Sequence, residues 1–178
     1  MVYRFKLVSD EAVNFSREIE IDSEATFLQL RNAILDSVGY SKDELDSFFL
    51  CDDEWQKEEE ITLEDMDTSS DQDTWLMETT PLYEMIEEEG QKLIFVFDYI
   101  TDRCFFMEMK EAIPGRNLAE PICTLKQGKA PAQHVDMEEF ERAIDNKLAA
   151  KEFEITDDLY GEADGYNEED LRDMDYLD

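Results

Sequence analysis

Apolar and charged residues alternate along Tyr3-Arg4-Phe5-Lys6-Leu7, and again along Phe15-Ser16-Arg17-Glu18-Ile19-Glu20-Ile21. A period of two sends one set of side chains to a buried face and the other to water, so both stretches read as β-strands. Ser9 to Asn14 is their hairpin connection. Asp22-Ser23-Glu24-Ala25-Thr26 then supplies helix-start residues, after which Phe27, Leu30, Ala33, Ile34 and Val38 recur at spacings of three and four. That spacing is the apolar stripe of an amphipathic helix, and it stops at Gly39, whose tolerance of positive φ suits a C-cap. Strand, strand, helix is the opening of an α+β fold, here a single domain with a β-grasp-like sheet packed by the helix.

Phe48-Phe49-Leu50-Cys51 predicts a third strand. The stretch from Asp52 to Asp73 is polar and acidic, relieved only by Ile61, Leu63 and Met66, and no element is expected there. Trp75-Leu76-Met77 reads as a short extended piece, and Pro81 to Ile86 as a helical turn or two opened by the proline. Leu93 to Tyr99 and Cys104 to Met109 are the strongest β patterns, joined by Ile100-Thr101-Asp102-Arg103, and predict a hairpin at the centre of the sheet. From Pro114-Gly115 onward, Pro121, Gly128 and Pro131 punctuate what reads as loop. Phe140, Ile144 and Leu148 then fall four apart on a helix starting near Asp136. The expected organisation is an α+β domain over 1–135, an acidic helix over 136–152 and an acidic, disordered tail over 153–178.

Charge sharpens this division. The 178 residues hold 48 Asp and Glu against 16 Lys and Arg, a net charge of −32. Residues 51–90 carry sixteen of the acids and a single lysine; residues 136–178 carry seventeen against four basic residues. The rest of the domain is close to neutral. Phosphate backbones are held by clustered Lys and Arg, so a direct nucleic-acid-binding role is excluded. The N-terminus lacks the apolar run of a secretory signal, and the longest apolar run, Leu93 to Phe97, is far short of a membrane span. The expected location is the cytoplasm, with Cys51, Cys104 and Cys123 as reduced thiols.

Candidate chemistry is sparse. One histidine, His134, cannot build a histidine-based zinc site, and its pairing with Cys123 as a nucleophile system is a weak motif. Asp67 to Glu78 partly fits a calcium-loop register, but Gln72 stands where the sharp turn needs glycine. No cofactor, metal or catalytic set is expected. Lys126, Gly128 and Lys129 with Arg116 form a small basic loop without the spacing of a phosphate cradle, and read as a counterpart to the acidic stretches. In the tail, Tyr160, Tyr166, Leu171 and Tyr176 lie among carboxylates, as in acidic-aromatic segments that fold onto a basic protein partner.

Several of these pieces occur together in one known family. The Phe95-Val96-Phe97-Asp98-Tyr99 strand, the strand Phe15-Ser16-Arg17-Glu18-Ile19, the helix from Leu28-Gln29-Leu30 to Val38-Gly39-Tyr40, Leu45 and Phe48, and the loop from Cys123 through Gly128-Lys129-Ala130-Pro131 follow the family's order. Over residues 3 to 135 the chain resembles the plasmid open-reading-frame-three-like family of root-inducing-plasmid type, also labelled transposon passenger proteins. The resemblance implies a cytosolic α+β domain from bacterial mobile elements, with no established enzymatic activity. It departs where Ser16 replaces the family's Trp before Arg17, where Arg31 replaces His after Leu30, and where Pro131-Ala132-Gln133-His134 replaces Pro-Pro-Glu-Asp. Of the relatives' polar positions, Arg17, Asp98 and Asp102 carry over. In a β-grasp-like sheet Arg17 and Asp98 fall on neighbouring strands, which predicts an ion pair lining a cleft. The expected function is a non-catalytic protein-interaction module; the alternative is an acidic DNA mimic that occupies a basic nucleic-acid-binding protein.

Overall fold

The two alternating stretches form β1 (Val2–Val8) and β2 (Ser16–Asp22), paired antiparallel from Val2 opposite Asp22 to Val8 opposite Ser16. They belong to the first of two compact units, Met1–Gln133; the second is His134–Asp178. The computed structural model describes residues 1–65 and 75–160. Helix α1 (Phe27–Val38) begins with a reciprocal capping box, Thr26 accepting from the Gln29 N–H while Gln29 accepts from the Thr26 N–H. It ends at Gly39, at φ +72°, whose N–H donates to the Leu35 carbonyl. This is the left-handed stop the sequence predicts.

Eight strands form one sheet. After α1 come β3 (Ser47–Cys51), β4 (Lys57–Thr62) and β5 (Trp75–Leu76), then a single turn α2 (Leu82–Met85), then β6 (Lys92–Asp98), β7 (Arg103–Ile113) and β8 (Ile122–Gln127). Their spatial order is β5-β4-β3-β6-β7-β1-β2-β8. Every pairing is antiparallel except β4 with β5. The β6–β7 hairpin occupies the two central places, as its uninterrupted apolar runs predict.

One face of the sheet makes the core. Tyr3, Phe5, Leu7, Ile19, Ile21, Phe48, Phe95, Phe105 and Met107 point to it and meet Phe27, Leu30, Ile34 and Leu35 of α1. The opposite face carries only a small apolar cluster, Cys51, Ile94 and Val96 with Phe49, Trp55, Cys104 and Phe106. Beside it runs a charged ladder in which Arg4 bridges Glu20 at 2.9 Å and Glu111 at 2.5 Å, and Arg116 reaches Glu20 at 2.6 Å.

Two strands lie where the sequence predicts none. β4 forms from Lys57-Glu58-Glu59-Glu60, a run with no alternation, because β3 offers a complete ladder and Ile61 supplies the buried anchor. β8 forms inside the stretch read as loop; its register against β2 is broken by a bulge between Glu18 and Ile19. β8 is the edge strand and β4 is covered only at Ile61 and Thr62 by β5; in both, pairing with a preformed neighbour overrides weak local preference. In the second unit α3 spans Met137–Tyr160, past the expected boundary at 152.

Candidate interaction surface: the β8 edge and the strap behind it

Arg17 does not pair with Asp98. The strand order sets β7 and β1 between β2 and β6, so the two residues are not on neighbouring strands as expected. Arg17 is 2 % exposed and spends its guanidinium on backbone carbonyls instead. Nε donates to Ser37 at 3.1 Å, Nη1 to Ser16 at 2.9 Å and Gln127 at 2.7 Å, and Nη2 to Gly128 at 3.1 Å. The guanidinium also stacks on the Phe15 ring at 4.6 Å. Burial without a carboxylate partner lowers its pKa. Five planar donors suit convergent carbonyls in a way that a lysine cannot match.

Asp98 works locally. Its carboxylate accepts from the Ile100 N–H at 3.0 Å and from the Thr101 hydroxyl at 2.7 Å, closing the β6–β7 turn, and lies 3.9 Å from Arg103. Asp102 sits at φ +52° in that turn, exposed, with Lys57 at 3.5 Å. The structure therefore brings together Asp98 and Arg103, not Asp98 and Arg17.

Arg103 is the residue that sequence reasoning missed. It donates to the Glu11 carboxylate at 2.9 Å, lies over the Phe97 ring at 5.0 Å, and donates to the carbonyls of Ala132 at 2.7 Å and Gln133 at 3.2 Å. Tyr40 donates its hydroxyl to the Pro131 carbonyl at 2.5 Å, with its ring among Phe97 and Phe105. Burial pushes the Tyr40 phenol up to about 12. The Gln133 side chain exchanges two hydrogen bonds with the Ser41 backbone. Arg17, Tyr40 and Arg103 thus tie five carbonyls of residues 127–133 to the end of the sheet. That segment is a strap, and β8 runs straight into it.

Gly128 fixes where the strap turns. Its φ is +71°, and a Cβ there would meet the Asn14 carbonyl oxygen at 2.4 Å. Only glycine fits both the left-handed backbone and the close approach. The sequence signal was present, since Gly128 lies between Lys126 and Pro131, but nothing in the pattern said what it packs against.

β8 itself is exposed along its whole length. Among the described residues it pairs only with β2, so its outer edge offers unpaired backbone groups. The register puts Ile122 and Leu125 opposite Glu20 and Glu18 on the sheet's outer face, and Lys126 opposite Arg17 on the other. Ile122 is 44 % and Leu125 37 % exposed. Cys123 is an exposed thiol on the same strand, its Sγ 3.3 Å from the Leu125 carbonyl.

The remaining expected residues fall elsewhere. Arg31, at the family's histidine position, is buried against Asp46 at 2.7 Å and donates to the carbonyls of Lys42 and Glu44, clamping α1 to the loop after it. Burial raises the Asp46 carboxyl to about 6 against the pull of Arg31. His134 lies in the second unit. The Asp67 to Glu78 register falls largely outside the described residues, as do Tyr166, Leu171, Tyr176 and the side chain of Tyr160. Among the described residues no group of three His, Cys, Asp or Glu side chains is placed to hold a metal, and no helix is long and apolar enough to cross a membrane.

The chain matches the family described as plasmid pRiA4b ORF-3-like protein over residues 2–174. It belongs to that family. A crystal structure of a protein of unknown function, MM3350 from Methanosarcina mazei Go1, has a similar fold, with a TM-score of 0.53 and 17 % identity over 70 % of this chain and 68 % of that one. No curated protein matches. For this member of the plasmid ORF-3-like family, the family match extends past the resemblance over residues 3–135 into the second unit. What it shares with MM3350 is the fold alone.

Proposed function

We propose that this plasmid ORF-3-like protein is a non-catalytic protein-interaction module acting in the cytoplasm. The observation that carries the reading is the β8 edge, an exposed six-residue strand anchored from behind by Arg17, Arg103 and Tyr40. Strand addition to such an edge gives affinity through main-chain hydrogen bonds and specificity through alternating side chains. Anchoring matters because a rigid edge loses little conformational entropy when a partner docks. A deep polar pocket around Arg17 and Asp98 would favour an enzyme; the non-catalytic reading is supported by the engagement of both residues, expected as an ion pair lining a cleft, in separate structural hydrogen bonds. The β-grasp-like description belongs to the same reading and is supported by the β1–β2–α1 opening.

The test is affinity capture with the full chain and with a Thr124→Pro variant, which removes one N–H and bends the edge without touching the core. A partner held by the native chain and lost by the variant, at equal thermal stability, supports the reading. A partner held equally by both places the interaction elsewhere and ends it. Retention of only basic nucleic-acid-binding proteins, released by moderate salt, would favour the acidic DNA mimic instead.

A further inference from the structure

The charge of β8 and the strap after it sets this segment apart from the rest of the chain. Residues 121–135 contain Lys126, Lys129 and His134 and no Asp or Glu, in a chain where 48 of 178 residues are acidic. The charge of this segment is opposite in sign to that of the chain as a whole. Lys126 and Lys129 are both exposed. Neither forms an ion pair among the salt bridges of the described residues, in which Arg4, Arg31, Arg103 and Arg116 all engage carboxylates.

Geometry divides the edge into two faces. An incoming strand sets alternate side chains on opposite faces of the sheet. On the outer face its residues would lie beside Ile122 and Leu125, whose side chains are partly exposed at the rim of the sheet. On the other face they would lie beside Lys126, with Lys129 following after the Gly128 turn. Directly opposed opposite charges and apolar pairs both stabilise adjacent strands, and like charges destabilise them.

We propose, resting on the edge-docking reading above, that β8 accepts an extended segment of a partner protein in which acidic and apolar side chains alternate. The apolar set packs beside Ile122 and Leu125, and the acidic set beside Lys126 and Lys129. The strap supplies the preorganisation: Gln127 and Gly128, which end the strand, are held by Arg17 at 2.7 and 3.1 Å. Pro121 before the strand and Pro131 after it limit the addition to about the six residues of β8, since proline supplies no N–H to a ladder.

The experiment titrates the isotope-labelled full chain with a ten-residue peptide alternating glutamate and valine, and with its lysine–valine counterpart, reading backbone amide shifts and hydrogen exchange. The expected result is that the glutamate–valine peptide shifts and protects amides of residues 122–127, while the lysine–valine peptide binds at least tenfold more weakly. Lys126→Glu should weaken the glutamate–valine peptide about tenfold and strengthen the lysine–valine one. Equal binding of both peptides at β8, unmoved by Lys126→Glu, overturns the acidic partner and leaves edge docking standing. Absence of any localised change at 122–127 with either peptide overturns both. Lys129→Glu serves as the second charge reversal should Lys126→Glu alter the fold.

Discussion

At one edge of the sheet β4 carries Glu58, Glu59 and Glu60 along a stretch that β5, pairing only at Ile61 and Thr62, leaves open among the described residues. At the other edge β8 carries no carboxylate at all. An unpaired edge is a template for strand addition, and natural sheets commonly blunt it with charge, bulges or proline. Three successive glutamates do this at β4, because an incoming ladder would have to face them on both faces of the sheet. β8 has a bulge and flanking prolines that shorten its edge, yet it keeps exposed Ile122 and Leu125 and is braced from behind. The contrast teaches that the acidic excess is placed rather than spread: it covers one open edge and is withheld from the other.

The sharpest way to break the comparison is to unseat the braced edge. Gly128→Ala should cost about 3 kcal/mol or more, since its Cβ would lie 2.4 Å from the Asn14 carbonyl oxygen and the backbone is left-handed. Gly39→Ala, also left-handed but with open space around it, should cost about 1 kcal/mol. Denaturant unfolding of the pair measures the difference; equal losses would mean that the strap's close approach to Asn14 carries no weight.

Arg17→Met comes next. Removing the guanidinium leaves the Gln127, Gly128 and Ser37 carbonyls without their donor, an expected loss of about 2 to 4 kcal/mol. Asp98→Asn keeps an acceptor for the turn and should cost under about 1 kcal/mol. Amide exchange in β8 should accelerate with the first substitution and not with the second. Comparable losses in the two variants would mean that the carbonyls held by Arg17 carry no more weight than the Asp98 turn.

The acidic edge can be tested in the opposite direction. Replacing Glu58 and Glu59 together with threonine removes like charge from β4 and should raise self-association on the order of tenfold, read by sedimentation velocity at physiological salt. Lys126→Thr at β8 should leave self-association unchanged. If the glutamate replacements stay monomeric at the same concentrations, their charge is not what protects the edge.

Legibility followed local signal. The β1–β2 hairpin, α1 with both caps and the central β6–β7 hairpin were readable because periodicity, capping residues and β propensity agreed there. β4 and β8 were not, because a glutamate run and a Pro/Gly-punctuated stretch hold no period of two, and only their neighbours make them strands. The sequence pairs Arg17 with Asp98, whereas the structure holds Arg17 on backbone carbonyls: strand order is a long-range property that one sequence does not encode locally. Arg103 and Tyr40 gave no signal, since a side chain that binds backbone carbonyls leaves no complementary residue to find.

The smallest effect isolates one contact of the strap. Tyr40→Phe removes the hydrogen bond to Pro131 and should cost about 1 kcal/mol at neutral pH. Its pH dependence has a definite sign. Burial raises the phenol from 10.0 to about 12 in the folded chain, so the folded state favours the protonated form. That contribution is fully present below pH 10, where the unfolded chain's tyrosine is also protonated, and it is lost as pH rises through 12. The native chain should therefore lose stability relative to Tyr40→Phe between pH 10 and 12, by about 1 kcal/mol once solvent screening of the half-buried phenol is allowed for, cancelling its small advantage. Thermal unfolding of both proteins across that range measures the difference directly, with the other titrating groups common to the two. A constant difference would show that the Tyr40 phenol is solvated in the folded chain and that its hydrogen bond to Pro131, not its burial, is what it adds to the braced edge.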